Sequence, residues 1–276
     1  MNIKQFKVGS LLKRADRDEA ALELAKGEIV GIFNRGVCAL WFDGGDPNAI
    51  KKVATIKGEG RGGKTIALTL SLDDFVPMID LENVSENIKR FLLSSNLRKK
   101  IGSLCFIRAP LKKKYQKMIP SHAKSYEEGV CLLQNWDSHG HIPSEQFIKR
   151  VRELGVVHPG VTSMNLTGEK EIVDQQEAEE FCKSNNIPIF LKDPTAHPNH
   201  KGSYTIITLG RDGIRLARDG NIPGWIIEQI IDITFIRKGV RKSNYPQIEF
   251  PKEAFSHLTS EGKRMVVLGI LKGSSY

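Results

Sequence analysis

Small polar residues crowd one short segment of the 276-residue chain, Thr162–Gly168, between a predicted helix and a glycine turn. The segment has the sequence Thr-Ser-Met-Asn-Leu-Thr-Gly. Hydroxyl and amide side chains in such a position can hold the polar atoms of a ligand, or they can close an Asx or Ser/Thr turn on the backbone itself. The segment alone leaves both interpretations open.

A glycine-rich loop, Gly58–Thr65, fits the phosphate-loop pattern G-x-x-x-x-G-K-T. In that motif backbone amides hold phosphates, the lysine reaches the terminal phosphates and the threonine hydroxyl holds Mg²⁺. The motif must lead directly into a helix, whereas residues 65–70 have the composition of a strand. We therefore predict a glycine-rich basic loop that contacts phosphate in another fold, with a P-loop NTPase as the third-ranked alternative.

Positive charge is concentrated in one stretch of the chain. The net charge is +9, and the stretch from residue 98 to residue 117 contains no acidic residue. Its eight basic residues are Arg98, Lys99, Lys100, Arg108, Lys112, Lys113, Lys114 and Lys117. This concentration is typical of a protein with a polyanionic partner, and the alternative is a solvated lysine-rich loop without one. We take the eight residues as a candidate RNA-binding surface; Arg237, Lys238, Arg241 and Lys242 form a smaller basic cluster.

The sequence predicts no metal site and no hydrolase triad. The pairs His139/His141 and His197/His200 lack the i, i+4 spacing of a helical site, and no carboxylate or cysteine stands at ligand spacing. No G-x-S-x-G motif is present. The four cysteines form no CxxC pair, which predicts small, partly buried thiols rather than a disulfide scaffold.

Strands and helices alternate irregularly around these residues, which predicts an α/β or α+β fold with a mixed sheet. Strands are predicted over residues 28–33, 37–42, 65–70, 103–107, 129–133, 204–209 and 214–217. Helices are predicted over residues 10–27, 48–56 and 85–93, and from Ser71, Pro143 and Asp174 onward. Residues 225–231 fit a helix or a strand, and the basic segment between the fourth and fifth strands is predicted to be an exposed connection.

The composition, 40% hydrophobic and 26% charged, is that of a folded globular protein. No apolar run approaches the roughly 18 residues of a spanning helix, and the first residues lack the apolar region of a secretory signal. We therefore predict a cytoplasmic protein without a membrane partner.

Four segments, in this order along the chain, resemble motifs of the YrdC-like family, the threonylcarbamoyl-AMP synthase domain of tRNA modification and its YciO-type relatives. Residues 57–68 are similar to the K-x-R loop, residues 162–168 to T-S-A-N-x-S-G, residues 202–207 to P-S-T-I-V, and residues 216–220 to L-R-x-G. The resemblance runs from about Ala20 to Ile222. It implies a twisted mixed sheet flanked by helices, with a concave basic cleft, over residues 1–222, and a short C-terminal extension over residues 223–276.

The resemblance also implies an activity and the residues that carry it. In the family, threonine and bicarbonate give a carbamate that attacks the α-phosphate of ATP, usually with Mg²⁺, and threonylcarbamoyl-AMP forms while pyrophosphate leaves. The implied residues are Ser163, Asn165, Ser203 and Arg218 for nucleotide binding, and Lys57 and Arg61 for catalysis on the triphosphate. The implied partners are a nucleotide and either tRNA or double-stranded RNA.

Three departures from the family pattern affect this expectation. The K-x-R motif appears as Lys57-Gly58-Glu59, with the nearest arginine at Arg61. The threonine-binding segment P-T-D-T-V-Y-G-L appears as residues 33–40, Phe-Asn-Arg-Gly-Val-Cys-Ala-Leu, without hydroxyl groups. The V-R-x-P motif appears with Gln134 in place of its arginine. The leading hypothesis is thus a divergent nucleotidyltransferase of this type, and the alternative is a non-catalytic RNA-binding protein on the same fold.

Overall fold

One mixed β-sheet forms the frame of the protein. The computed structural model describes residues 5–58, 65–94, 97–196, 200–250, 255 and 257–271. Within these residues the sheet has 13 strands: β1 (Lys7–Ser10), β2 (Val30–Asn34), β3 (Val37–Asp43), β4 (Ala67–Leu68), β5 (Cys105–Pro110), β6 (Lys124–Glu127), β7 (Val130–Asn135), β8 (Pro159–Ser163), β9 (Ile189–Lys192), β10 (Thr205–Gly210), β11 (Gly213–Asp219), β12 (Phe235–Ile236) and β13 (Arg241–Lys242).

The strands follow the order β1-β9-β2-β3-β8-β4-β7-β5-β10-β11-β12, while β13 pairs with β11 and β6 pairs with β7. The sheet contains both parallel pairs, such as β5 with β10, and antiparallel pairs, such as β10 with β11. The predicted mixed sheet is therefore confirmed.

Helices cover both faces of this sheet. The described helices are α1 (Arg14–Ala25), α2 (Pro47–Lys57), α3 (Leu72–Phe75), α4 (Glu86–Leu92), α5 (Leu97–Ile101), α6 (Lys113–Gln116), α7 (Ile142–Glu153), α8 (Gln175–Ser184), α9 (Gly224–Ile231) and α10 (Ser260–Leu271). Short 3₁₀ turns occur at Val76–Met78, Leu81–Asn83 and Ser121–Ala123.

Alternation along the strands gives the two faces of the sheet separate cores. In β3, Cys38, Leu40 and Phe42 face a large core that includes residues of α2, α4, α8, α9 and α10. Val37, Ala39 and Trp41 face the opposite side, where α1 and α7 pack around Trp136 and Phe147. The two helices cover only the Trp41 end of this second face, and the other end forms a cleft.

The predicted helix starts at Ser71 and Asp174 are confirmed by their caps. The Ser71 hydroxyl accepts a hydrogen bond from the Asp74 amide, and the Asp174 carboxylate accepts from the amides of Gln176 and Glu177. The start at Ser10 is wrong, because Ser10 ends β1 and α1 begins at residue 14.

Other differences from prediction concern short or ambiguous segments. The strand predicted over residues 65–70 shrinks to the two residues of β4, and the basic connection after β5 contains α6 and β6. Residues 225–231 are helical, in α9. Around the glycine-rich loop, helix α2 comes before the loop and strand β4 after it. A phosphate loop needs the reverse order, so the P-loop alternative does not fit this fold.

The chain after Ile222 packs into the same large core as the rest. Helix α9 buries Ile226, Ile227, Ile230 and Ile231, and α10 packs against α9 and α5. Between them, residues 232–250 run back along β11 and form β12 and β13. We retain the name C-terminal extension for residues 223–276, and the domain boundary at residue 222 stays a prediction.

All four cysteines are buried and unpaired. Burial raises the pKa of the Cys38, Cys105 and Cys182 thiols, which keeps them protonated near neutral pH. Among the described residues, no helix has the length and apolar character that crossing a membrane requires.

Candidate functional site

The open end of the second sheet face forms a cleft with a volume of about 390 Å³. Five of the six residues predicted for nucleotide binding and catalysis line it: Lys57, Ser163, Asn165, Ser203 and Arg218. They come from the end of α2, the end of β8, the loop after β8, the loop before β10 and the end of β11. The sixth, Arg61, lies outside the described residues.

A hydrogen-bond network fixes the loop after β8 at one end of the cleft. The ammonium of Lys57 donates to the carbonyl oxygen of Ser163 at 2.7 Å and to Oδ1 of Asn165 at 2.6 Å. The Ser163 hydroxyl donates to the same Oδ1 at 2.7 Å. Lys57 is buried, with 4% of its surface exposed, so its charge depends on these acceptors.

Asn165 closes a turn and also lines the cleft, so both interpretations of residues 162–168 apply to it. Its Nδ2 donates to the carbonyl oxygens of Leu166 at 2.9 Å and Glu169 at 2.8 Å, which closes the turn. Its side chain also lines the cleft. The amide of Thr167 donates to the Lys57 carbonyl oxygen at 2.8 Å, so the turn is tied to the end of α2.

A β-bulge directs Arg218 into the cleft. Ile206 pairs with Arg218 but Ile207 pairs with Leu216, so Ala217 is an extra residue on β11. In a regular strand Arg218 would share the face of Leu216, which is buried in the large core. The bulge moves it to the face of Ile206, where its Nε donates to the Tyr204 carbonyl oxygen at 2.8 Å.

The environment lowers the pKa of Arg218 to about 10. Burial is the main cause, and the positive charges of Arg241 and Arg108 add to it, while the Glu171 carboxylate opposes the shift. Cations that lower one another's pKa are close enough to repel, so this part of the cleft is suited to an anion.

Arg108 supplies positive charge beside Gln134, the residue that stands in place of the family arginine. The two residues pair directly across β5 and β7, and Nη2 of Arg108 donates to Oε1 of Gln134 at 2.9 Å. Nη1 of Arg108 lies 3.2 Å from the Glu127 carboxylate. Arg108 lines the cleft, so the substitution at Gln134 is accompanied by an arginine on the neighbouring strand.

Two further contributors lie outside the six residues predicted for nucleotide binding and catalysis, and one of them, Arg241, belongs to the smaller basic cluster of the sequence. Arg241, in β13, pairs with Arg218 and lines the cleft. Glu171 lies buried behind it and accepts hydrogen bonds from the Ser203 amide at 2.9 Å and from Nδ2 of Asn244 at 2.8 Å. Burial acts to raise the pKa of Glu171, but these hydrogen bonds outweigh it and the pKa lies below the ordinary value.

The segment that replaces the family's threonine-binding motif forms β2, a two-residue turn and β3. Arg35 and Gly36 both have positive φ, as in a type I′ hairpin turn. Arg35 points away from the cleft and donates to Ser103 Oγ at 3.1 Å and to the Gly140 carbonyl oxygen at 2.9 Å. Val37 and Ala39 line the cleft beside residues of the adjoining strands, so this part of its floor is largely apolar.

The cleft wall contains three buried side-chain atoms that have no hydrogen-bond partner among the described residues. They are Oδ1 of Asn34, Oγ1 of Thr167 and Nε of Arg108. Buried polar atoms in proteins are nearly always paired, so these three atoms are exceptions beside the cleft.

The candidate RNA-binding residues lie on separate elements of the fold. Lys99 and Lys100 lie in α5, before β5, while Lys112, Lys113, Lys114 and Lys117 lie in and around α6, after β5. The six residues of β5 span roughly 20 Å between the two groups. Arg108 is in the cleft, and the side chain of Arg98 lies outside the described part of the structure. RNA binding by these residues stays a prediction.

No family model matches the chain, and no curated protein matches its sequence. Solved structures do resemble it. Sua5 from P. abyssi complexed with L-threonine has a TM-score of 0.65 at 15% identity over 88% of this chain and 68% of the Sua5 chain. E. coli YciO has a TM-score of 0.53 at 13% identity over 78% of this chain and 94% of YciO.

Full-length HypF in its phosphate- and nucleotide-bound form has a TM-score of 0.54 at 19% identity over 74% of this chain and 29% of HypF. This chain thus spans about two thirds of the Sua5 chain and less than a third of HypF. The likeness to Sua5 and YciO agrees with the sequence motifs, and the chain has the YrdC-like fold that those motifs predict.

Proposed function

We propose that this protein binds ATP in the cleft and forms an adenylate as threonylcarbamoyl-AMP synthases do, in support of tRNA modification. The observation that carries the proposal is that residues distant in the sequence meet at a single cleft. Lys57, Ser163, Asn165, Ser203 and Arg218 are far apart in the sequence, yet all line one cleft. HypF, part of which has the same fold, has been solved in a phosphate- and nucleotide-bound form.

In the proposed reaction, the amine of an amino acid and bicarbonate form a carbamate with loss of water. A carbamate oxygen then attacks the α-phosphorus of ATP, and the bond to pyrophosphate breaks. Negative charge increases at the phosphate oxygens during this step, so fixed cations nearby lower its barrier. Arg108, Arg218 and Arg241 supply such charge, and Lys57 holds Ser163 and Asn165 in place while adding its own.

Magnesium fits this proposal only as a companion of the triphosphate. The described residues that line the cleft include no carboxylate. Mg²⁺ commonly binds through substrate phosphates with few protein ligands, and in that form it would neutralise part of the triphosphate charge. Neither Mg²⁺ nor a cytoplasmic location is tested by the observations above, and both stay predictions.

The floor of the cleft bears on the choice of amino-acid substrate. Residues 33–40 contribute no hydroxyl group, and Val37 and Ala39 face the cleft with Ala67 and Val161. An apolar floor of this kind favours a small apolar side chain over one that needs a hydrogen-bond partner. We therefore include valine and alanine beside threonine as candidate substrates.

The decisive experiment is pyrophosphate release from ATP with Mg²⁺ and bicarbonate, with and without each amino acid, followed by mass spectrometry of the product. Release that depends on an amino acid, with the matching carbamoyl-adenylate, is the expected result. The Asn165→Ala, Arg218→Ala double variant should lose both ATP binding and release. Binding of ATP without release for any amino acid would reject the catalytic part, and unchanged ATP affinity in the double variant would reject the site.

The alternative is a non-catalytic protein that binds tRNA or double-stranded RNA. It predicts steep salt dependence, with each phosphate contact adding roughly 0.7–0.9 to the slope of log affinity against log salt. The separation of the two lysine groups by β5 argues against a single continuous RNA contact. RNA affinity that is absent or insensitive to salt would eliminate this alternative.

A further inference from the structure

The C-terminal extension brings a cation to the cleft that lies outside the four sequence motifs. After α9 the chain turns back, and β13 pairs in parallel with the end of β11, which places Arg241 beside Arg218. Arg241 lines the cleft, whereas its neighbour Lys242, which pairs with Asp219, does not. Successive side chains of a strand point to opposite faces, which accounts for this difference.

The segment after β13 is tied firmly to the body of the protein. Nδ2 of Asn244 donates to the Glu171 carboxylate at 2.8 Å, and the Tyr245 hydroxyl donates to the Glu171 carbonyl oxygen at 2.7 Å. Nε2 of Gln247 donates to the Gly220 carbonyl oxygen at 2.9 Å. A Cβ added to Gly202 would lie 3.0 Å from Ser243 Oγ, so the extension packs closely against the start of β10.

The arginines near the cleft differ in the hydrogen-bond acceptors and ion-pair partners that they already have. Arg218 donates to the Tyr204 carbonyl oxygen, and Arg108 donates to Gln134 and Glu127. Arg237, also in the extension, is paired with the Glu228 carboxylate. Arg241 is exposed and makes no hydrogen bond or ion pair within the described part of the chain. Its guanidinium can therefore turn to a ligand without breaking an existing contact.

The excess of positive charge in the cleft indicates that its ligand carries several negative charges. Arg108, Arg218, Arg241 and Lys57 line the cleft, and the described lining residues include no carboxylate. Glu127 and Glu171 neutralise part of this charge from behind. A guanidinium presents parallel N–H donors that match two phosphate oxygens, so adjacent arginines suit linked phosphate groups better than a single one.

We propose that Arg241 of the C-terminal extension binds the polyphosphate part of a nucleotide in the cleft, so that the extension completes the binding site. This inference rests on the proposed function. It adds that the extension is required for affinity toward linked phosphates, and that a ligand with one phosphate uses Arg241 much less.

The test measures the affinities of ATP, inorganic pyrophosphate and AMP by calorimetry for the full chain and three variants. Arg241→Ala should weaken ATP and pyrophosphate binding about tenfold and AMP binding less than threefold. Arg241→Lys keeps the charge but not the two parallel donors, and should fall between. Lys242→Ala removes the same charge one residue away and should leave all three affinities within twofold. Thermal unfolding of each variant verifies that the fold is intact.

Two outcomes overturn the inference while leaving the proposed function in place. One is ATP binding by the full chain that Arg241→Ala does not weaken. The other is an equal loss in Arg241→Ala and Lys242→Ala, which would show a diffuse charge effect rather than a ligand contact. Failure of the unmodified chain to bind either ATP or pyrophosphate would overturn the proposed function and this inference together.

Discussion

Arginines occur in two contrasting regions of this protein. Arg35 and Arg264 are buried and donate to backbone carbonyl oxygens of residues 102, 139 and 140, in the turns that flank the sheet. Arg108, Arg218 and Arg241 line the open cleft and lie close enough for each charge to affect the others. The two groups have the same chemistry and opposite surroundings.

The difference shows how a structural arginine can be distinguished from a binding one. Burial lowers the pKa of both Arg35 and Arg264. Within the packed interior Arg35 donates to Ser103 Oγ and the Gly140 carbonyl oxygen, and Arg264 donates to the Gly102 and His139 carbonyl oxygens. In the cleft, Arg241 has no acceptor in the described part of the structure, and Arg218 uses only its Nε in a contact with Tyr204. Arg35 and Arg264 thus hold the fold together, whereas Arg218 and Arg241 keep donors that can face a ligand.

The largest effect on stability is expected for Arg35→Met. This change removes the N–H groups that donate to Ser103 Oγ and to the Gly140 carbonyl oxygen. Buried polar groups that lose their hydrogen-bond partners destabilise the folded state. We expect the free energy of unfolding to fall by roughly 2–4 kcal/mol, as measured by urea denaturation. ATP affinity of the folded variant should be unchanged, and a parallel loss of affinity would contradict the separation of the two regions.

Arg218→Ala should have the opposite profile. Removing one of three mutually repelling cations costs the fold little, but it deprives the phosphates of a charge-assisted contact. We expect ATP affinity to fall about 10- to 30-fold, which corresponds to about 1.4–2 kcal/mol, with a free energy of unfolding within about 1 kcal/mol of the unmodified chain. Arg211→Ala, which removes the same charge in the exposed turn between β10 and β11, is the matched control.

Local signals in the sequence predicted the parts of this site that depend on neighbouring residues. The caps at Ser71 and Asp174 and the turn around Asn165 each involve residues within four positions of one another. The order of the four motifs predicted the fold, and five of the six residues they implied line one cleft.

Local signals could not predict contacts between residues that are far apart in the sequence. Arg241 reaches the cleft through the pairing of β13 with β11, and Glu171 accepts hydrogen bonds from Asn244 and Tyr245 of the distant extension. Arg218 depends on the extra residue Ala217, which no spacing rule reveals. Arg108 offered a usable hint, because a charged residue inside the apolar strand Cys-Phe-Ile-Arg-Ala-Pro needs a polar partner or a ligand.

Glu171 links the C-terminal extension to the cleft, and its titration tests that role. Its pKa lies below the ordinary value of 4.5, so the stability that its ionised form contributes is present above about pH 4.5 and is lost as the pH falls through the native pKa. Glu171→Gln should reduce the free energy of unfolding at pH 7 by about 1–2 kcal/mol and flatten its dependence on pH below 4.5. If the free energy of unfolding of this variant fell as steeply below pH 4.5 as that of the unmodified chain, other carboxylates would be the source of that stability.

The smallest effect is expected at Arg237, which belongs to the same basic cluster of the sequence as Arg241. Arg237 donates to the Glu228 carboxylate and lies mostly in solvent, where an ion pair contributes little. Arg237→Gln should change the free energy of unfolding by less than about 1 kcal/mol and ATP affinity by less than twofold, which calorimetry can resolve. The same substitution at Arg241 should weaken ATP binding several-fold. If the two variants behaved alike, the presence of an acceptor would not distinguish structural arginines from binding ones, and net charge alone would govern the cleft.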